Sequence, residues 1–201
     1  MFTVFLVDDD ARVIKALSRL VRVKGYNAEP YTSPQEFLDR HDAAVPGCAV
    51  FDVSMPGLDG LELQQALSAN GASRPIIFLT GKGDIPTTVR AMRAGAVDFL
   101  TKPVSVRDLI GAIQRAEELD ARSRQAQAQL TSIEARIATL TPREREVLTH
   151  VVAGRLNKQI AYDLGTVEKT IKFHRSSIMK KLDVRMVADL VRMAEKAGIS
   201  K

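Results

Sequence analysis

The chain has 201 residues, 45% of them hydrophobic and 26% charged, with a formal net charge of +5. That length makes one large domain or two small ones, and the apolar content excludes a disordered or collagen-like chain. A single cysteine, Cys48, excludes an internal disulfide framework and a zinc site built from cysteines. The longest apolar runs, such as Ala49–Phe51 and Ile76–Leu79, are too short to span a bilayer. The first residues lack a basic flank and run straight into three aspartates, so no secretory signal and no membrane partner are expected, and the expected location is cytoplasmic.

The charge is unevenly spread. Residues 1–104 carry 11 basic and 12 acidic side chains, residues 105–139 carry 5 of each, and residues 140–201 carry 13 basic against 7 acidic. The excess positive charge therefore sits in the last third, as expected of a module that approaches a polyanion. Seven of the eight prolines lie at or before Pro103, and no glycine falls between Gly111 and Gly154. Two domains joined by a helical connector account for both distributions.

The first module alternates strand and helix signals. Thr3–Val7, Cys48–Phe51 and Pro75–Thr80 are apolar runs of strand length punctuated by Asp, Gly or Pro, with weaker strands at Asn27–Tyr31 and Val97–Leu100. Between them, Val13, Ile14, Leu17, Leu20 and Val21 share one helical face before Gly25. Phe37 and Leu38, then Leu61, Leu63 and Leu67, then Val89 and Met92 mark further short helices. Five strands each followed by a helix predict a doubly wound parallel α/β sheet.

In such sheets ligands sit at the carboxyl ends of the strands. Asp8, Asp9 and Asp10 follow the first strand, Asp52 ends the third, Thr80 ends the fourth and Lys102 follows the fifth, so the spacing predicts that they converge. Clustered carboxylates repel unless a cation sits among them. Oxygen-only ligands favour a hard ion, Mg²⁺ before others. A hydroxyl and an ammonium beside that centre suit an incoming phosphoryl group, with Asp52 as the carboxylate nucleophile. Singly, each feature has a plainer reading: Asp10 caps the following helix, and Thr80-Gly81 also reads as a turn.

Residues 2–118 resemble a CheY-type receiver domain of two-component response regulators. The resemblance is carried by Phe5-Leu-Val-Asp-Asp-Asp10, Phe51-Asp-Val-Ser-Met-Pro-Gly-Leu-Asp-Gly60, Phe78-Leu-Thr-Gly81 and Phe99-Leu-Thr-Lys-Pro103. It implies a flavodoxin-like fold, Asp52 as phosphoacceptor, and Asp8, Asp9 and Asp52 with the backbone carbonyl of Ser54 as the Mg²⁺ pocket. Thr80 and Lys102 would bind the phosphoryl oxygens, Phe99 would be an aromatic switch, and a sensor histidine kinase would be the phosphodonor. No enzyme activity is implied beyond the domain's own Mg²⁺-dependent phosphoryl transfer and dephosphorylation. Lys82 stands where His is frequent, which bears on phosphoryl lifetime, and Val104 where Phe is frequent, which bears on packing of the last receiver helix.

The connector holds Leu109, Ile113 and Leu119, then an Ala/Gln/Arg-rich stretch, then Leu130, Ile133, Ile137 and Leu140 at helical spacings. Its composition favours helix, but the seam is too brief for a coiled coil. A solvated spacer and a docking or dimerisation seam are both open. The expected division is a receiver over 1–118, a helical linker over 119–139 and a small all-α domain over 140–201.

In the basic third, Thr141-Pro142-Arg143-Glu144 is a capping box with Pro at the first helical position. Val147, Leu148, Val151 and Val152 face inward until Gly154. Asn157 starts a second helix with Ile160, Ala161 and Leu164 inward, Gly165 breaks it, and a third runs from near Glu168 to about Leu182. Two helices joined by a tight Gly-containing turn predict a helix-turn-helix. On the third helix Ile171, Ile178 and Leu182 face the core, while Lys169, Lys172, Phe173, Ser176 and Lys180 form the opposite stripe. Such a stripe suits a DNA groove, although taken alone a solvated lysine face is the more ordinary reading. Arg175, Asn157 and Lys158 are candidate phosphate contacts, and His174 reads as a packed or capping residue.

Residues 140–196 also resemble the LuxR-type helix-turn-helix of the NarL/FixJ family, through Leu140-Thr-Pro-Arg-Glu-Arg-Glu-Val-Leu148, Asn157-Lys-Gln-Ile-Ala161, Lys169-Thr-Ile-Lys-Phe-His-Arg175 and Lys181-Leu182. Thr166-Val167 departs from the frequent Ile-Ser. Together the resemblances imply a phosphorylation-switched transcription factor whose partners are the kinase, double-stranded DNA, RNA polymerase and, once phosphorylated, a second copy of the chain. Two rivals use the same residues. A Mg²⁺-dependent phosphatase would want a second carboxylate near Asp52, where Ser54 stands, and a constitutive DNA binder would use the receiver for protein contacts alone.

Overall fold

Alternating strand and helix periodicities fold as such in the computed structural model, which describes residues 1–69, 74–81 and 85–199. The chain separates into two units, Met1–Arg124 and Gln125–Lys201. The first contains β1 (Thr3–Val7), α1 (Ala11–Val23), β2 (Asn27–Tyr31), α2 (Pro34–Arg40), β3 (Gly47–Asp52), α3 (Gly60–Ala69), β4 (Ile76–Thr80), α4 (Ile85–Arg93), β5 (Asp98–Thr101) and the start of α5 (Val106–Ala138). All strand pairs are parallel, in the order β2-β1-β3-β4-β5. Pro30, which cannot donate to a ladder, falls in β2 at the sheet's edge.

Side chains alternate between two cores, one on each face of the sheet. Phe5, Val7, Ala49, Phe51, Ile76 and Phe78 point to the core shared with Phe37, Leu63 and Leu67. Val4, Leu6, Cys48, Val50, Ile77 and Leu79 point to the other, with Leu17 and Val21 of α1 and Leu109, Ala112, Ile113 and Ala116 of α5. Asp10 caps α1 by accepting from the Arg12 amide, and Ser33 caps α2.

Three local expectations shift. β5 starts at Asp98, one residue later than the apolar run, although the Val97 amide already donates to the Ile76 carbonyl at the strand's approach. Val89 and Met92 mark α4 but do not face the core: they are 41% and 45% exposed, and Ala91 is the buried residue. Leu119, 46% exposed, is likewise outside, and Asp120 takes the inward position.

The second unit holds the rest of α5, then α6 (Pro142–Val152), α7 (Asn157–Asp163), α8 (Glu168–Lys181) and α9 (Val187–Lys196). Ile133, Ile137 and Leu140 of the connector seam pack here, against Val147, Leu148, Ile160, Ile171 and Ile178, so that seam builds this unit's core. Helix α9, which no sequence signal above announced, closes the core with Leu190 and Ala194.

The capping box is present, and its acid does more than cap. Glu144 is buried, accepting from the Thr141 amide (2.8 Å), the Ser177 hydroxyl (2.6 Å) and the Lys181 ammonium (2.7 Å), so it ties the start of α6 to α8. Burial alone would raise its pKa, but the bonds from Lys181, Ser177 and Thr141 outweigh it and hold the carboxyl at about 2, below its ordinary 4.5. A depressed carboxyl stabilises the fold fully above its unfolded pKa and ceases to do so as pH falls through the folded one. The second unit is therefore expected to lose at most about 3 kcal/mol of stability between roughly pH 4.5 and pH 2 from this group. Glu144→Gln should be less stable at neutral pH and flat across that window, as read by urea titration of the full chain with amide exchange followed in α6 and α8.

Candidate functional site

Strand register gathers the chemistry at one end of the sheet. Val7 lies beside Phe51 and Asp52 beside Leu79, while Thr80 lies beside Thr101, so the residues that follow emerge together. Asp8 and Asp52 are buried, the latter 6% exposed. The Lys102 ammonium is 2.6 Å from Asp8 Oδ2 and 2.6 Å from Asp52 Oδ1. The remaining oxygens accept backbone amides: Asp8 Oδ1 from Asp10 (2.9 Å) and Asp52 Oδ2 from Ser54 (2.9 Å). Burial pulls the Lys102 pKa down, but the bonds to Asp52 and Asp8 prevail and raise it, so the ammonium stays charged at neutral pH.

Asp9 is exposed and takes no part in the Lys102 bridge. Among the described residues no three acidic, histidine or cysteine side chains are gathered closely enough to hold a metal ion as they stand. The donors still suit one. Two buried carboxylates share a single ammonium, and the exposed third, Asp9, is next to one of them in sequence; all are oxygen donors, with a negative balance that a hard cation would offset. Thr80 is buried, and its carbonyl accepts the Lys102 amide at 2.7 Å. Phe99 is half-buried on β5, its ring centroid 6.0 Å from that of Phe78. Val104 is partly buried against the core on the α1 and α5 side, and Lys82 lies outside the described residues.

The second cluster lies on α8. Ile171, Ile178 and Leu182 are buried, while Lys169, Lys172, Phe173, Ser176 and Lys180 are all exposed, Phe173 by 71%. Lys172 pairs with Glu168 across one turn at 3.0 Å, an exposed pair worth a few tenths of a kcal/mol. Asn157, Lys158 and Arg175 differ in exposure. Arg175 Nη1 donates to Asn157 Oδ1 at 2.9 Å, joining α8 to the start of α7, and only Lys158 of the three is fully exposed. His174 is half-buried with its ring against Phe173. The turn before α8 closes with Gly165 at φ +59° and Thr166 donating to the Ala161 carbonyl, but Val167 at the N-cap supplies no capping bond.

Sequence reasoning passed over the amide donors of Asp10 and Ser54, which no side-chain pattern reveals, and the pairing of Glu168 with Lys172, which the i, i+4 spacing did signal.

A parallel five-stranded sheet with an aspartate–lysine centre at its carboxyl edge, followed in the chain by a helix-turn-helix unit, defines a response regulator with a DNA-binding output. Residues 4–114 match the response regulator receiver domain family, and residues 138–194 match the bacterial regulatory proteins of the luxR family. Nodulation protein W of Bradyrhizobium diazoefficiens is 44% identical over 98% of this chain and 87% of its own length. The transcriptional regulatory protein FixJ of the same organism is 38% identical over 98% of this chain and 96% of its own length. The solved structure of response regulator StyR superposes with a TM-score of 0.84 at 45% identity, covering 96% of this chain and 98% of that one. The chain belongs to the two-component response regulators that carry a receiver and a LuxR-type DNA-binding domain; it is a transcription regulator and not an enzyme. Among the described residues no helix is long and apolar enough to cross a membrane.

Asp52 can sit where it does because α3 starts against it. A Cβ on Gly60 would lie 2.4 Å from the Asp52 carbonyl oxygen and 3.1 Å from the Phe78 ring. Gly60→Ala is expected to destabilise the first unit by about 1–3 kcal/mol, measured as a lowered unfolding midpoint, with the second unit's transition unchanged.

Proposed function

We propose that Asp52 is the phosphoacceptor of a switch that controls dimerisation and sequence-specific DNA binding. The observation that carries the reading is the Lys102 ammonium held 2.6 Å from both Asp8 and Asp52, which marks Asp52 as a buried carboxylate with a cation already at the position incoming phosphoryl oxygens would need. An oxygen of Asp52 attacks the phosphorus of a phosphohistidine on a sensor kinase; the new P–O bond forms as the P–N bond breaks, and the imidazole departs. Lys102 moves from the carboxylate to the phosphoryl oxygens, and the Thr80 hydroxyl donates to another. Asp8, Asp9, Asp52 and the Ser54 carbonyl would hold Mg²⁺, which would supply neutralisation of the charge that accumulates there.

As Thr80 is drawn toward the phosphoryl group, Phe99 turns further in beside Phe78 and the surface around α4 and β5 is remodelled. That surface carries an apolar strip, Ile85, Val89 and Met92, at spacings of one helical face and all exposed, which suits pairing with a second copy. A dimer presents two α8 helices to half-sites of an inverted repeat. Lys169, Lys172, Phe173, Ser176 and Lys180 face the groove, Asn157, Lys158 and Arg175 contact phosphates, and bound dimers act on RNA polymerase. The setting is the cytoplasm.

Intact mass after incubation with acetyl phosphate and Mg²⁺ tests the acceptor. Wild type should gain one phosphoryl group, absent without Mg²⁺ and absent in Asp52→Asn; no adduct on folded wild type would move constitutive DNA binding to first place. For the groove face, Phe173→Ala should weaken specific binding by about 1–3 kcal/mol and relax preference at one base pair. Lys158→Ala should weaken all sequences alike and lower the salt slope by roughly one. Equal effects of both variants on specific and random DNA would sink the assignment of α8 as the reading helix.

A further inference from the structure

The apolar hold on α5 stops early. Leu109, Ala112, Ile113 and Ala116 are sunk in the first unit's core, and among the described residues the next apolar side chain of this helix to join a core is Ile133, in the second unit. The stretch between is rich in Ala, Gln and Arg, and a free helix of that length is marginal in water. Tyr26 reaches Glu117 near its start, donating at 3.2 Å. Beyond that point a polar clasp takes over.

Asp120 is buried one turn after Ala116, where an apolar residue would continue the stripe. Arg124 Nε donates to its Oδ2 at 2.8 Å. The other arms of the same guanidinium donate to the carbonyls of Ala44 (2.8 Å), Val45 (2.8 Å) and Ala43 (3.2 Å). Arg74, stacked 4.0 Å above the Phe5 ring, donates to the carbonyls of Asp42 (2.8 Å) and Val45 (3.3 Å). Four consecutive carbonyls are thus gripped by two arginines. The fixed fork of Arg fits several acceptors at once; a lysine's point charge does not.

The position of this clasp matters more than its strength. Residues 42–45 lead into β3, which ends in Asp52, and Arg74 leads into β4, which ends in Thr80. Arg124 is also the last residue of the first unit, and α5 continues past it into the second. We propose that Arg124 is a positioning residue that pins α5 to the segment feeding β3, so that the helix beyond Ala116 follows the state of the strand carrying Asp52. The inference rests on the phosphorylation-switched reading above and adds the route by which the switch leaves the receiver.

The test uses the full chain in four forms: wild type, Arg124→Ala, Arg124→Lys and the control Arg122→Ala. The control removes the same charge from the same helix, but Arg122 only meets Glu118 at 3.6 Å with both side chains mostly exposed. Amide exchange over residues 117–132 should accelerate about tenfold or more in Arg124→Ala, with the β-sheet amides and acetyl phosphate labelling as in wild type. The ratio of DNA affinities with and without phosphorylation should fall toward one in that variant alone. Arg124→Lys should resemble Arg124→Ala; restoration of wild-type behaviour by Lys would show that bare charge suffices and overturn the clasp. Exchange in Arg124→Ala no faster than in Arg122→Ala also overturns it. Faster exchange with an unchanged affinity ratio overturns the transmission. A wild type that labels yet binds DNA equally in both states instead overturns the functional reading, and the transmission with it.

Discussion

One ammonium between two buried carboxylates governs the architecture around it. Asp8 and Asp52 are forced into proximity by adjacent parallel strands, and two unpaired carboxylates there would cost far more than a marginal fold can bear. Lys102 makes the arrangement tolerable, and it reaches the pair only because β5 lies two strands from β3 with its carboxyl end pointing the same way. A phosphoryl group on Asp52 would add negative charge to a centre that holds a single fixed cation. The single positive charge of Lys102 could not balance Asp8, Asp52 and the added phosphoryl charge together. On the proposed reading, the need for a further cation and the tendency to switch would both follow from that shortage of positive charge.

The second unit uses charge differently. Its lysines are in excess, and one of them, Lys181, is drawn to a buried glutamate that also caps α6 and holds Ser177. Lys169, Lys172 and Lys180 stay at the surface of the same helix. Helix α8 is therefore fixed in place by its last turn while its outer face remains cationic. Attachment and the exposed cationic face fall on different residues of one helix, which lets the outer face vary without loosening the core.

Much of the fold is legible in the sequence because strands and helices differ in period. The runs at residues 3–7 and 27–31 coincide with β1 and β2, and alternation within β1, β3 and β4 sends odd and even residues to separate cores. The gathering of Asp8, Asp52 and Lys102 follows from strand order, which the all-parallel pattern restricts strongly. The polar detail does not follow. Asp120 and Arg124 sit in a stretch that reads as a solvated helix; Asp120 accepts from Arg124, whose other partners are backbone carbonyls some eighty residues earlier in the chain. A carbonyl has no letter in the sequence, so a cluster built on four of them leaves no pattern to find. The amides that hold Asp8 and Asp52 are hidden for the same reason.

Periodicity also names a face without naming what covers it. Val89 and Met92 have the spacing of a buried stripe, yet α4 turns them outward and buries Ala91 instead. Ile133, Ile137 and Leu140 have the spacing of a dimer seam, yet they complete the core of their own unit. The two cases are opposite outcomes of one ambiguity, since an apolar stripe gains the same free energy against its own chain or another. The exposed strip of Ile85, Val89 and Met92 thus stands as apolar surface that intramolecular packing leaves uncovered. It lies on the helix nearest β5, where Phe99 is only half-buried. On the proposed reading, a ring that gains burial by turning inward would change the contour of that surface, and packing would then couple the strip's affinity for a second copy to the state of the aspartate centre.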